Sequence, residues 1–163
     1  MRTIDEHDAA APPDLCFRTA ADVERWPSIL PHYRWVRFRR KDGFAAGVVE
    51  MAAWRRFGPV GWPTWWVSEM DHDPAARTVT YRHVDGVTRG MDVVWKVEPL
   101  EGGGSHLSIV HEWSGPGWPV LGPVAADAVI GPWFVSAIAG RTLAGVAAEA
   151  ERAARAAAAE EAS

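Results

Sequence analysis

Between Met91 and Trp113 the chain changes character at every second residue. Met91, Val93, Trp95 and Val97 fall on one side of an extended chain, with Asp92, Lys96 and Glu98 on the other. Leu107, Ile109, His111 and Trp113 repeat the pattern against Ser108, Val110 and Glu112. A period of two with one polar side describes strands of a sheet that is wet on one face and buried on the other. From about Trp133 onward no proline appears and alanine dominates. There Phe134, Val135, Ile138, Leu143 and Val146 form an apolar stripe near the helical period. A single long helix must bury that stripe against the one large sheet available.

Turn signals mark out the sheet. Asp42-Gly43, Asp73-Pro74, Asp85-Gly86 and Gly102-Gly103-Gly104 separate runs at about 33–40, 44–54, 64–71, 77–84, 90–98 and 105–113. Residues 3–8 add a seventh strand, and the short turns predict an antiparallel meander. Pro13 before Asp14-Leu15-Cys16-Phe17 starts a helix that runs to about Ala21. A second short helix spans Val23 to Leu30, broken by Pro27 and closed by Pro31. The expectation is an α+β chain: a curved antiparallel sheet of about seven strands around a long C-terminal helix, with two short helices after the first strand. It forms one domain over residues 1–163. Residues 156–163 are expected to fray, because alanine favours helix but has little to bury.

Composition narrows the function. A chain of 163 residues suits one domain and buries roughly 70% of its unfolded surface, enough for a core with an internal cavity. A net charge of −4 argues against a nucleic-acid binder. The one cysteine, Cys16, excludes an internal disulfide framework and a cysteine zinc site, and reads as a buried thiol. Arg2, Asp5, Glu6 and Asp8 leave no apolar leader, so a cytoplasmic location is expected. From Trp113 to Gly140 the sole charge is Asp127, but Pro116, Pro119, Pro123 and Pro132 interrupt the stretch. It reads as a loop and then a buried helix, without stable membrane insertion. Ten Trp stand against 5 Phe and 2 Tyr. Indoles suit a cavity that stacks on a flat or apolar ligand, and they equally suit plain core packing.

Several polar residues are candidates for chemistry. His83 shares a strand face with Val79 and Tyr81, and a histidine can exchange a proton near neutrality. His111 shares a face with Ile109 and Trp113. Glu50 and Asp92 are expected to face water. Asp71-His72-Asp73 has a metal-like composition, but neighbours on a strand point to opposite faces, so a turn is the better reading. His106 and His111 have opposite parity, and no metal site is expected. The glycine triplet precedes no helix and is a hairpin turn, not a phosphate loop. Arg34, Arg37, Arg39, Arg40 and Lys41 form either a solvated strand or a dock for an acidic partner, which salt would weaken. Residues 55–63 read as a longer connection that, with Trp62, Trp118, Pro119 and Trp133, forms an apolar mouth.

The segment from Ala21 to Tyr33, with Asp22-Val23-Glu24, Trp26-Pro27 and Tyr33, resembles the polyketide cyclase/dehydrase group of the START-like (SRPBCC) superfamily. Trp66-Val67-Ser68, Asp73-Pro74 and Arg77-Thr78-Val79 resemble the fourth and fifth strands of bacterial aromatase/cyclases, and Met91 and Trp95 match the next strand. The resemblance covers about residues 2 to 155, and coenzyme Q-binding proteins share its early part. It implies the helix-grip (START/Bet v 1-like) fold and an interior cavity for a hydrophobic small molecule: a polyketide, a quinone or a lipid. In the aromatase/cyclases a poly-β-ketone chain arrives on an acyl carrier protein. The pocket folds the chain and promotes aldol closure and dehydration, with no cofactor. On this resemblance Tyr33, Ser68 and His83 are the catalytic candidates, and Trp26, Trp66 and Trp95 the walls. Trp54, Met70, Tyr81 and Met91 are further ligand contacts, as are His111, Trp113, Trp133 and Ile138.

The departures matter as much. The aromatase/cyclases carry a pocket arginine two residues after the W-V-S triplet, where this chain has Met70. A second pocket arginine corresponds to His83. Losing a fixed cation removes a group able to polarise a ketone. Either another group has taken over, or the chemistry differs, or the protein only binds. The sequence thus leaves a cyclase, a non-catalytic carrier of a lipid, quinone or isoprenoid, and a solid core without a cavity.

Overall fold

The structure is a computed structural model that describes residues 1–57, 60–115 and 135–162, and the side chains of all of these except 55–57 and 60. The described elements are β1 (Arg2–Ala9), α1 (Pro13–Ala21), a 3-10 turn (Val23–Arg25), α2 (Trp26–Ile29), β2 (Tyr33–Lys41), β3 (Gly47–Phe57), β4 (Val60–Asp73), β5 (Thr78–Gly86), β6 (Asp92–Pro99), β7 (Ser105–Glu112) and the long helix α3 (Ser136–Glu161). The seven strands form one antiparallel sheet in the order β1-β7-β6-β5-β4-β3-β2. Strands β2 to β7 are a meander, and β1 closes the far edge by pairing with β7.

The alternation sets the register. Trp95 lies opposite Ile109 and Val93 opposite His111, so the apolar side of each strand meets the apolar side of the next. Helix α3 covers that side. Its Leu143, Val146, Ala147 and Ala150 are buried, as are Leu107 and Ile109 on the sheet. Full burial of a Leu or Ile side chain contributes about 1.5–3 kcal/mol. Leu30, at the end of α2, lies against α3 at Gly145, where a Cβ would overlap the Leu30 Cδ2 atom. The backbone amide of Ala10 donates to Glu151 at 2.8 Å and Arg25 pairs with Glu149 at 3.1 Å, tying the first crossover to the same helix. This is the helix-grip fold.

Three boundaries differ from the expectation. Residues 55–63 are mostly strand: β3 runs to Phe57 and β4 begins at Val60, with Trp54 opposite Pro63. Proline is tolerated there because the Trp54 amide donates to His32 on the β2 side, which makes this a non-hydrogen-bonded pair. On its other side β4 meets β5 only from Trp66 onward, so no ladder bond is missing at Pro63. The second short helix is split into a 3-10 turn and α2, whose first turn holds Pro27. Helix α3 continues through Glu161, past the point where fraying was expected, although its last turns are exposed. Most of the Trp113–Gly140 stretch, with Trp118, Pro119 and Trp133, lies outside the described residues. No helix among those described is long and apolar enough to cross a membrane.

Candidate functional site

Between α3 and the concave face of the sheet the side chains leave a cavity. About 80 Å³ of it is open to the centres of water molecules, and its atom-free space is about 620 Å³ when the open mouth is counted. Among the described residues, therefore, the core is not closed. The described lining comes from α2 and β2 (Trp26, Tyr33), β3 and β4 (Met51, Trp66), β5 and the turn after it (Tyr81, His83, Val87, Thr88), β6 and the residue before it (Met91, Val93, Trp95), β7 (Ile109, His111), and the start of α3 (Val135, Ile138, Ala139, Thr142).

Five rings form a continuous wall. Trp95 meets Trp26 at 5.6 Å between centroids, Trp26 meets Tyr33 at 5.0 Å, Tyr33 meets Trp66 at 6.2 Å, and Trp66 stacks on His83 at 5.9 Å and 21°. These edge-on and offset geometries are the ones aromatic quadrupoles favour. The wall needs strand parity on β4, β5 and β6, and Pro27 and Pro31 to turn Trp26 and Tyr33 inward around α2. The Trp26 indole N–H is anchored on the Thr19 carbonyl at 3.4 Å.

The polar groups inside are neutral. Burial lowers the His83 pKa to about 3, helped by His111, while the hydrogen bond at Thr88 acts the other way. Burial lowers His111 to about 4. Burial raises both Tyr33 and Tyr81 above the usual tyrosine value, so both stay protonated. Burial thus holds His83 below the range near neutrality in which a histidine ordinarily exchanges a proton. Its Nδ1 lies 2.6 Å from the Thr88 hydroxyl, and both residues are buried. Thr142 donates to the Ile138 carbonyl at 2.8 Å and meets His32 Nε2 at 2.9 Å.

The remaining expected site residues are placed differently. Ser68 is fully buried on the same sheet face, opposite His83, but does not reach the lining, and its hydroxyl has no hydrogen-bond partner. Met70 is buried opposite Tyr81, also behind the lining. Trp113 is buried outside the lining, its indole N–H on the Arg89 carbonyl at 2.9 Å. Trp54 is a correction. It has the outward parity of β3, is 42% exposed, and carries the Arg34 guanidinium at 4.6 Å from its ring centroid. Glu50, expected to face water, is buried on the outer side of the sheet beneath Arg37 at 2.7 Å, Arg39 and Trp35 at 3.1 Å. Burial alone would raise its pKa, but these donors together pull it below the usual value. Asp73 accepts from the amides of Ala75 and Ala76 at 2.9 and 3.1 Å, the chemistry of a turn. Among the described residues no three His, Cys, Asp or Glu converge on a point.

Sequence reasoning did not name Met51, Val87, Thr88, Val93, Ile109, Val135, Ala139 or Thr142 as site residues. Thr142 was within reach, since it follows Ile138 by one helical turn on the same stripe. Thr88 sits in a turn, where period carries no information.

The comparisons agree with this geometry. Residues 9–129 match the family described as polyketide cyclase / dehydrase and lipid transport. Among solved structures, the Zhui aromatase/cyclase from Streptomyces sp. R1128 is 26% identical, with a TM-score of 0.77 over 96% of this chain and 97% of that one. The protein TTHA0849 from Thermus thermophilus is 18% identical, with a TM-score of 0.77 over 94% of this chain and 99% of that one. A START superfamily protein from Mycobacterium smegmatis is 17% identical, with a TM-score of 0.63 over 94% and 97%. None of the curated proteins matches significantly. With its hollow helix-grip fold and a family match over most of its length, the chain belongs to the polyketide cyclase/dehydrase and lipid transport family.

Proposed function

We propose that this protein takes a flexible, hydrophobic poly-β-ketone-like chain into the cavity and promotes its aldol cyclisation and dehydration in the cytoplasm. The observation that carries the reading is the five-ring wall facing a cluster of neutral hydrogen-bonding groups within one cavity. The wall confines the chain near an attack geometry, an effect worth up to about 7–11 kcal/mol in favourable cases. Tyr33 donates to a carbonyl oxygen. His83, with Nδ1 engaged by Thr88, offers its other ring nitrogen to an enol or a water. A histidine this hard to protonate is a weak base, so confinement carries more of the rate than proton transfer does.

One observation favours a second reading, a non-catalytic carrier of a lipid, quinone or isoprenoid. The described lining holds no charged side chain, and Met70 stands where the resembling enzymes place an arginine. Tyr33→Phe and His83→Ala separate the two. Lost turnover of a synthetic poly-β-ketone thioester with affinity kept supports catalysis. Equal loss of both, or no turnover by the parent, supports a carrier.

Delivery on an acidic carrier protein remains part of the first reading. On β2 and its flanks, Arg37 and Arg39 pair with Glu50, Arg40 with Asp42 and Lys41 with Glu24, and Arg34 packs on Trp35 and Trp54. Carrier-protein binding here should weaken as salt rises, and salt-independent binding would refute the docking.

A further inference from the structure

We propose that the cavity recognises an uncharged ketone through the Tyr81 hydroxyl, and rejects carboxylates and amines. The inference rests on the reading that the cavity holds a hydrophobic ligand, and names what that ligand must carry.

Besides its indoles, the described lining contains six polar side chains: Tyr33, Tyr81, His83, Thr88, His111 and Thr142. Five have a protein group to engage. His83 and Thr88 satisfy each other at 2.6 Å. Thr142 is held by Ile138 and His32, and Tyr33 lies beside Thr142. His111 Nδ1 faces the Thr3 hydroxyl at 3.4 Å. The Tyr81 hydroxyl has no partner, although the residue is only 6% exposed. Tyr81 lies between Met70 on β4 and Val93 on β6, and neither offers a strong acceptor. A buried hydroxyl without a partner is costly, and a ligand oxygen at that spot removes the cost.

The same surroundings fix the charge of the ligand. A carboxylate or ammonium entering the cavity would shed its water and find no counter-charge in the described lining. His83 and His111 supply none near neutral pH, because burial keeps both unprotonated. A phenol that stays protonated suits a carbonyl oxygen as its acceptor.

The test uses three probes of similar shape, acetylnaphthalene, naphthoate and ethylnaphthalene, titrated by quenching of tryptophan fluorescence in the parent and in Tyr81→Phe. The parent should bind the ketone at least about 10-fold more tightly than naphthoate. Tyr81→Phe should weaken the ketone about 3–10-fold and leave ethylnaphthalene unchanged. Because the substitution deletes an unpaired hydroxyl, the variant should melt no lower than the parent. An unchanged ketone-to-hydrocarbon ratio in Tyr81→Phe, naphthoate binding as tight as the ketone, or a lower melting temperature would each overturn the proposal. Uptake of none of the probes by the parent would overturn the hydrophobic-cavity reading itself, and this inference with it.

Discussion

Lowering the pH from 7 to 5 should destabilise this protein by about 4 kcal/mol, chiefly through two side chains. His83 and His111 are buried in the cavity wall, which lowers their pKa values to about 3 and about 4. In the unfolded chain both titrate near the ordinary value of about 6.5. Between those limits the unfolded state binds more protons than the folded one, so stability falls as pH falls. At pH 5, about 1.5 pH units below the ordinary value, each histidine costs about 2 kcal/mol, at about 1.4 kcal/mol per unit. Against a typical total of about 5–15 kcal/mol, the pair removes a large share. The hydrogen-bonded carboxylates of Glu50 and Glu149 have lowered pKa values, remain ionised in this window and do not contribute. His32, lowered to about 4 by burial and by Arg141, acts in the same sense as the pair, with a smaller share because it is only partly buried. Asp5, raised by burial, and His106, raised by Asp8 and Glu6, work in the opposite sense, but both are partly exposed, where the effect is screened. Urea midpoints followed by tryptophan fluorescence at pH 7 and pH 5 measure the loss. The double variant His83→Asn, His111→Asn should lose the larger part of the pH dependence, the remainder resting with His32, whatever its stability at pH 7. A parent that loses less than about 1 kcal/mol, or a double variant as pH-sensitive as the parent, would refute the reasoning.

Two further outcomes follow from packing. Gly145→Ala gains about 1 kcal/mol of helix propensity but forces Leu30 to move, at about 1–3 kcal/mol for overpacking, so a chemical denaturation curve should show net destabilisation or none, never a gain. Cys16 is fully buried and its pKa is raised, mainly by desolvation, so a thiol reagent should leave the folded protein unmodified and react once urea unfolds it; rapid labelling of the native protein would contradict the placement of α1.

How far the fold could be read depended on how each residue's environment wrote itself into period. On β6 and β7 the residues alternate between an apolar and a polar side, so their inward faces were legible, though not the register that sets Trp95 opposite Ile109. The stripe of α3 was legible for the same reason. The β3–β4 hairpin was not. Gly61 and Pro63 look like loop residues, and only the free flank of β4 at Pro63 makes that proline compatible with strand. At the site, Trp26, Trp66, His83 and Trp95 were legible from parity and from resemblance. Trp54 misled because tryptophan count says nothing about which face a ring takes. Ser68 and Met70 have the inward parity and are buried but do not reach the lining, a depth that period cannot express. The state of His83 was invisible too, since it depends on burial and on Thr88, which the turn brings over from outside the strand.

The most direct measurement is a crystal structure of the protein with acetylnaphthalene bound. The account predicts the fused ring against the wall formed by Trp26, Trp66 and Trp95, with the ketone oxygen about 2.8 Å from the Tyr81 hydroxyl. Density for the ring only on the outer surface, or a ring inside with its oxygen turned away from Tyr81, would contradict it.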